Sequence, residues 1–143
     1  MEVWELVARE QVRQTIAAHS HAGDRGRFDD MADCYTEDGS LQVSDGPPLV
    51  GRAAITDSMR SVRPSDPAPT YVIHHVSGIH FTSVTPEEVE VASYFFVVTD
   101  VGPDHWGRYR DRFAPIDDRW LIRSRRAATD GFSKESLFRP IGA

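Results

Sequence analysis

Val89-Glu-Val-Ala-Ser-Tyr-Phe-Phe-Val-Val98 is a nearly all-apolar run, bounded on its N-terminal side by Pro86-Glu87-Glu88. Its β-branched and aromatic content marks a strand, and the Pro-Glu-Glu triplet marks the turn that feeds it. A strand apolar on both faces is covered on both sides. Here the expected covers are a helix on one face and a neighbouring subunit on the other. On its N-terminal side lies Thr70–Thr82, again rich in β-branched and aromatic residues. On its C-terminal side, Gly102-Pro103-Asp104 is read as a turn, followed by strands at Trp106–Pro115 and Arg119–Thr129 around a second turn at Ile116-Asp117-Asp118. These four segments form a hairpin-linked meander with a period of two.

The first half of the chain has a different period. Val3, Leu6, Val7, Val12, Ile16 and Ala17 recur at broadly helical spacing over residues 3–20, and Gly23 ends that helix. Asp24 is placed to cap a second helix through Phe28, Met31, Ala32 and Tyr35, which Glu37-Asp38-Gly39 turns out of. Leu41–Val43 is a short strand, Gly46-Pro47-Pro48 breaks it, and Arg52–Ser61 is a third helix. Residues 62–69 contain Pro64, Pro67 and Pro69 and form a loop. Helices first and strands after is the α+β order. The expected architecture is one domain over residues 1–143. It is a cone-shaped α+β barrel, a curved antiparallel sheet wrapped around a long N-terminal helix with room inside for a small ligand.

Composition narrows the function classes. With 143 residues, 40% hydrophobic and 27% charged, the chain is an ordinary globular one with enough length for a core. A formal charge of −6 speaks against a nucleic-acid or anionic-membrane partner, because both require a basic face. No apolar stretch reaches the roughly 20 residues of a membrane span. Met1-Glu-Val-Trp-Glu5 carries neither the basic start nor the apolar run of a signal peptide. The single cysteine, Cys34, suits a reducing compartment, and a cytoplasmic location is expected. The histidines and acids show no metal-ligand spacing, so neither metal nor cofactor is expected.

Polar residues that point into the cone carry the functional signal. In Tyr71-Val-Ile-His-His-Val-Ser-Gly78, alternation puts His74, Val76 and Gly78 on one face and His75, Ser77 and Ile79 on the other, so one histidine faces inward. In Gly107-Arg-Tyr-Arg-Asp-Arg-Phe113 the three arginines share a face that needs solvent or a subunit boundary. Tyr109, Asp111 and Phe113 then face the interior, where Asp111 needs a cationic partner.

Several motifs carry a family likeness: Ala22-Gly-Asp-Arg-Gly-Arg-Phe-Asp-Asp-Met-Ala-Asp-Cys-Tyr-Thr-Glu-Asp38, Gly51-Arg-Ala-Ala-Ile55, the His74-His75 strand, Gly107-Arg-Tyr-Arg-Asp111 and Asp118-Arg-Trp-Leu-Ile-Arg-Ser-Arg-Arg126. With these the chain resembles the SnoaL-like branch of the superfamily named after nuclear transport factor 2, from the first helix to about Phe132. It is similar to scytalone dehydratase and γ-hexachlorocyclohexane dehydrochlorinase, in which a His-Asp pair serves as general base. The resemblance implies that Asp24 and His74 form such a pair and that Arg125 stabilises developing negative charge. His19 stands where the dehydrochlorinase has a pocket lysine and could return a proton to a leaving hydroxyl. Gly78 departs from the asparagine common among relatives, and the dehydratase's substrate-holding tyrosines are not found. Tyr109 and Asp111 would contact or shape the substrate site, and Trp106 and Phe95 would line an apolar wall.

The reading is therefore a cofactor-independent lyase or isomerase, dehydratase- or cyclase-like, acting on a small, largely apolar oxygenated ring such as a polyketide-like or aromatic compound. The alternatives are a non-catalytic small-molecule binder of the same fold, or an epoxide hydrolase-like enzyme, which Arg110-Asp111-Arg112 keeps open. The apolar and basic outer sheet face suggests a homodimer or homotrimer. The segment 131–143, with Phe132, Leu137, Phe138 and Ile141, is expected to cover the cavity mouth or pack on a neighbour.

Overall fold

The computed structural model describes residues 1–62 and 66–138. Three helices, α1 (Val3–Asp24), α2 (Phe28–Ala32) and α3 (Arg52–Ser61), combine with six strands: β1 (Tyr35–Val43), β2 (Leu49–Val50), β3 (Ile73–Val84), β4 (Val89–Thr99), β5 (Gly102–Ile116) and β6 (Arg119–Phe132). The strands make one curved, unclosed sheet in the order β2-β1-β6-β5-β4-β3. The fold class is α+β, with α1 packed against β3 and β6.

The meander is present as expected, but the sheet is not wholly antiparallel. β1 joins β6 in parallel, with Leu41 opposite Arg125 and Val43 opposite Ala127, and β2 pairs antiparallel at the edge. Tyr35, expected in α2, instead opens β1. The helix stops at Ala32, and the strand runs through Glu37-Asp38-Gly39 with a register shift between Tyr35 and Ser40. An extended β1 satisfies its backbone groups along β6. The expected turn at Gly102-Pro103-Asp104 also proves to be strand, because the chain reverses one step earlier, at Asp100-Val101.

β4 obeys its period strictly. Val89, Val91, Ser93, Phe95, Val97 and Thr99 are buried, while Tyr94 and Phe96 are exposed on the opposite face. The outer row that was expected to meet a neighbouring subunit is thus uncovered in the single chain. In β3 the alternation slips at Gly78. Its φ of +58° accompanies a register shift between Ser77 and His80, which turns Ile79 toward the core against the simple alternation.

The inner row of the sheet meets Ala8, Val12 and Ile16 of α1, and Met31 of α2, in one cluster with Tyr35, Val91, Phe113 and Ile122. Burying side chains such as those of Val12, Ile16 and Phe113 stabilises by roughly 1.5–3 kcal/mol each. Thr15, polar on the same helix face, donates to the Trp120 carbonyl at 2.6 Å and so is paired where it is buried. The loop expected over residues 62–69 lies partly outside the described residues, as do residues 139–143 of the C-terminal segment, Ile141 among them. Among the described residues, no helix is long and apolar enough to cross a membrane.

Candidate active site

Asp24 does not cap α2, whose N-cap is Arg27 and makes no side-chain capping bond; Asp24 is instead the last residue of α1. Its carboxylate reaches the start of β3, where Oδ2 accepts the His74 backbone N–H at 2.9 Å and Oδ1 lies 2.5 Å from His74 Nδ1. An ionised carboxylate can only accept, so Nδ1 carries the proton. Nε2 of the neutral ring then keeps its lone pair, and among the described residues it has no hydrogen-bond partner. The ring is 32% exposed and the carboxylate 12%, which places the acid behind the base.

These groups border a cavity of about 490 Å³, within the roughly 300–1,000 Å³ typical of small-molecule sites. Its lining is mainly apolar, with Phe28, Met31, Leu41, Val43 and Met59 from α2, β1 and α3. Against this surface stand a few convergent polar groups. Arg125 is sealed from solvent and forked onto Asp111, Nε to Oδ1 at 2.8 Å and Nη2 to Oδ2 at 2.9 Å. Burial opposes its charge, but the Asp111 carboxylate outweighs burial and raises the guanidinium above its ordinary pKa. Its carbon centre sits 3.9 Å from the Tyr109 ring centroid, a cation–π contact that also packs the ring. Nη1 lies 3.4 Å from His19 Nδ1, and since arginine can only donate, Nδ1 accepts. His19 Nε2–H then donates to the Tyr35 hydroxyl at 3.1 Å. Burial first, with Arg125 and His74 adding to it, holds His19 well below the usual imidazole range. A neutral His19 is a poor source of a proton near pH 7, contrary to the acid role expected for it.

A second imidazole lies along the same wall. His105, which precedes the strand start expected at Trp106, lines the cavity, and its Nδ1 is 2.7 Å from Asp104 Oδ1. Asp104 is fully buried and also accepts from Thr99 Oγ1 (3.1 Å), Ser136 Oγ (2.6 Å) and the Leu137 N–H (2.7 Å). Burial alone would raise this carboxyl, but the bonds from Ser136, His105, Leu137 and Thr99 hold it below the usual carboxylate range.

The other expected site residues divide clearly. Tyr109 borders the cavity. Asp111 stands behind Arg125 and orients it. Phe95 is buried behind the lining, stacked on Tyr109 at 4.6 Å between ring centroids. Trp106 faces the other way: it is 39% exposed, pairs with Phe96 across the strands and covers Gly131, so it forms no part of the cavity wall. Tyr35 was missed because its segment was read as helix, and His105 because its strand was started too late. Phe138, from the segment expected to cover the mouth, does line the cavity.

The family described as SnoaL-like domain matches residues 4–126. None of the curated proteins matches the sequence. Among solved structures, a candidate scytalone dehydratase from Novosphingobium aromaticivorans is 19% identical with a TM-score of 0.75, covering 96% of this chain and 95% of its own. ActVI-ORFA from Streptomyces coelicolor is 21% identical with a TM-score of 0.72, over 85% of this chain and 96% of its own. A Catenulispora acidiphila protein in complex with S-DNPA is 24% identical with a TM-score of 0.72, over 85% and 92%. At these identities the likeness is one of fold, the cystatin-like fold of nuclear transport factor 2 relatives.

Proposed function

The chain belongs to the SnoaL-like domain family, and on that premise we propose that it is a lyase or isomerase that needs no cofactor and uses His74, oriented by Asp24, as its general base. The observation that carries this reading is the Asp24 carboxylate on His74 Nδ1, with Nε2 left to a mainly apolar cavity. A carboxylate there fixes the tautomer and stabilises the imidazolium formed when Nε2 takes a proton. An imidazole ordinarily titrates near pH 6.5, close to the working pH of such a base. Arg125, held charged by Asp111, is the group placed to stabilise an enolate oxygen or a departing anion. The cavity volume and lining suit a small, largely apolar ring bearing oxygen substituents. The scytalone dehydratase name among structures of this fold supports the same reaction class, and the S-DNPA complex supports small-ligand binding.

A nitrobenzisoxazole tests the base without requiring the natural substrate. Removal of its ring C–H proton breaks the N–O bond and releases a coloured nitrocyanophenolate. The parent protein is expected to accelerate this reaction, and His74→Ala to lose ~100-fold or more of that rate, the usual contribution of a positioned base. Equal rates in the parent and His74→Ala would remove His74 as the base and leave the binding-protein reading in front.

A further inference from the structure

We propose that His105, held by Asp104, is a second proton-transfer residue of the same site, which protonates the leaving group while His74 removes a proton. This deepens the reading above and rests on it. Three observations lead to it.

The first is placement. His74 on β3 is paired with Val97 on β4, and Val97 with His105 on β5. Neighbouring strands lie about 4.8 Å apart, so the two histidines stand roughly 10 Å apart along one row, with buried Val97 between them. Both rings border the cavity, so a ring-sized substrate held between them would meet an imidazole at each edge.

The second is local geometry. Residues adjacent in a strand point to opposite faces, so Asp104 and His105 should not meet. They meet because β5 bulges here. Val97 pairs with His105 and Val98 with Pro103, which leaves Asp104 as the extra residue. A bulge re-aims a side chain, and here it turns the carboxylate onto its own neighbour's Nδ1. The result copies the Asp24–His74 arrangement: Nδ1 donates to a carboxylate and Nε2 is left over. Among the described residues, Nε2 of His105 has no hydrogen-bond partner.

The third is enclosure. Asp104 also holds the C-terminal segment through Ser136 and Leu137, and its carbonyl accepts the Ser133 N–H at 2.8 Å. This strap brings Phe138 edge-on to the His105 ring, 5.6 Å between centroids, while Phe95 packs on it from the interior at 6.4 Å. The ring is thereby fixed between two aromatics, as a proton donor of defined direction requires.

In a dehydration, His74 Nε2 takes the proton as a C–H bond breaks, and that electron pair forms the new double bond. The C–O bond breaks toward oxygen, and protonated His105 gives its Nε2 proton so that water departs. The site resets when a proton passes from His74 to His105 through solvent.

Leaving-group dependence separates this role from a structural one. The nitrobenzisoxazole releases a stable phenolate and needs little help from an acid, whereas the unsubstituted benzisoxazole releases a poor leaving group. His105→Gln retains an N–H donor for Asp104, so the strap stays anchored. It is expected to lose ~10-fold or more on benzisoxazole and less than about threefold on the nitro compound. His105→Asn serves as the second variant if the glutamine protein does not fold. Equal losses on both probes, or none on either, would overturn the acid role while leaving His74 as base. If His74→Ala keeps its activity while His105→Gln shows the differential loss, the base assignment fails and the His105 assignment survives. A parent that turns over neither probe overturns both.

Discussion

Arg125 and Asp111 share two hydrogen bonds with side chains only 1% and 0% exposed, whereas along the same cavity the His74 and His105 rings are 32% and 20% exposed beside their carboxylates. Both arrangements set a cation former against an acid, but they do different work. In the sealed pair neither partner has water to fall back on, so the charges are locked and the guanidinium serves as a fixed positive wall. In the imidazole pairs only the carboxylate is well buried, and the ring keeps one nitrogen for a proton that must come and go. Fixed charge and mobile protons are thus sorted by access to the cavity.

Removing one half of the sealed pair should have the largest effect. Asp111→Ala leaves Arg125 buried and unpaired, and is expected to destabilise by about 3–5 kcal/mol in urea unfolding. Asp111→Leu combined with Arg125→Met should recover most of that loss, since an apolar pair needs no partner. A loss below about 1 kcal/mol in the single variant would show that the guanidinium reaches another acid, and the contrast with the imidazole pairs would disappear.

The next effect is one of pH. His19, hydrogen-bonded to Arg125 and Tyr35, is held below its ordinary range first by burial and then by the Arg125 charge. The unfolded chain binds a proton there near pH 6.5 while the folded chain does not, so stability should fall as pH drops below about 6.5, by at most about 1.4 kcal/mol per pH unit, and level off below the folded-state pKa. Unfolding curves at pH 7.5 and 5.5 for the parent and His19→Gln measure this, with the slope expected to be shallower in the variant. An unchanged slope would mean that His19 is protonated as readily folded as unfolded.

Asp24→Asn should cost least, about 1 kcal/mol, because an amide oxygen can still accept the His74 backbone N–H in a partly exposed setting. Its turnover of the nitrobenzisoxazole should nevertheless drop by about 10-fold, since the ring loses its anionic partner. A variant that loses several kcal/mol would place Asp24 with the sealed pair, as a structural rather than a functional acid.

Much of the fold was legible in the chain because its signals are local. The period-two runs gave β4 its start at Val89 and β6 its start at Arg119, and helical spacing with Gly-Pro punctuation bounded α3 at Arg52 and Ser61. Alternation in Gly107–Phe113 correctly put Tyr109 and Asp111 inside and Arg108, Arg110 and Arg112 outside. The errors fell where a non-local partner overrode the local pattern. Tyr35 reads as helix until β6 is available to pair with it, and Gly78 shifts the phase of β3, whereas Trp106, one residue before inward Gly107, stands outside with Arg108 as the same alternation requires.

The candidate site shows the same division. Asp24 and His74 are 50 residues apart, and no spacing rule joins them; family resemblance suggested the pair, and the return of β3 to the end of α1 brings the two together. Asp104 and His105 are neighbours in the chain, yet sequence alone separates them, because alternation assigns adjacent strand residues to opposite faces. Only the bulge opposite Val97 and Val98 reverses that assignment. Composition and periodicity therefore determined α1, α3, the meander and the apolar face of β4, but not the extent of β1 or the start of β5. Which polar groups meet was decided by strand register and by the burial that follows from it, because a one-residue slip moves a side chain from solvent to cavity at no change in sequence.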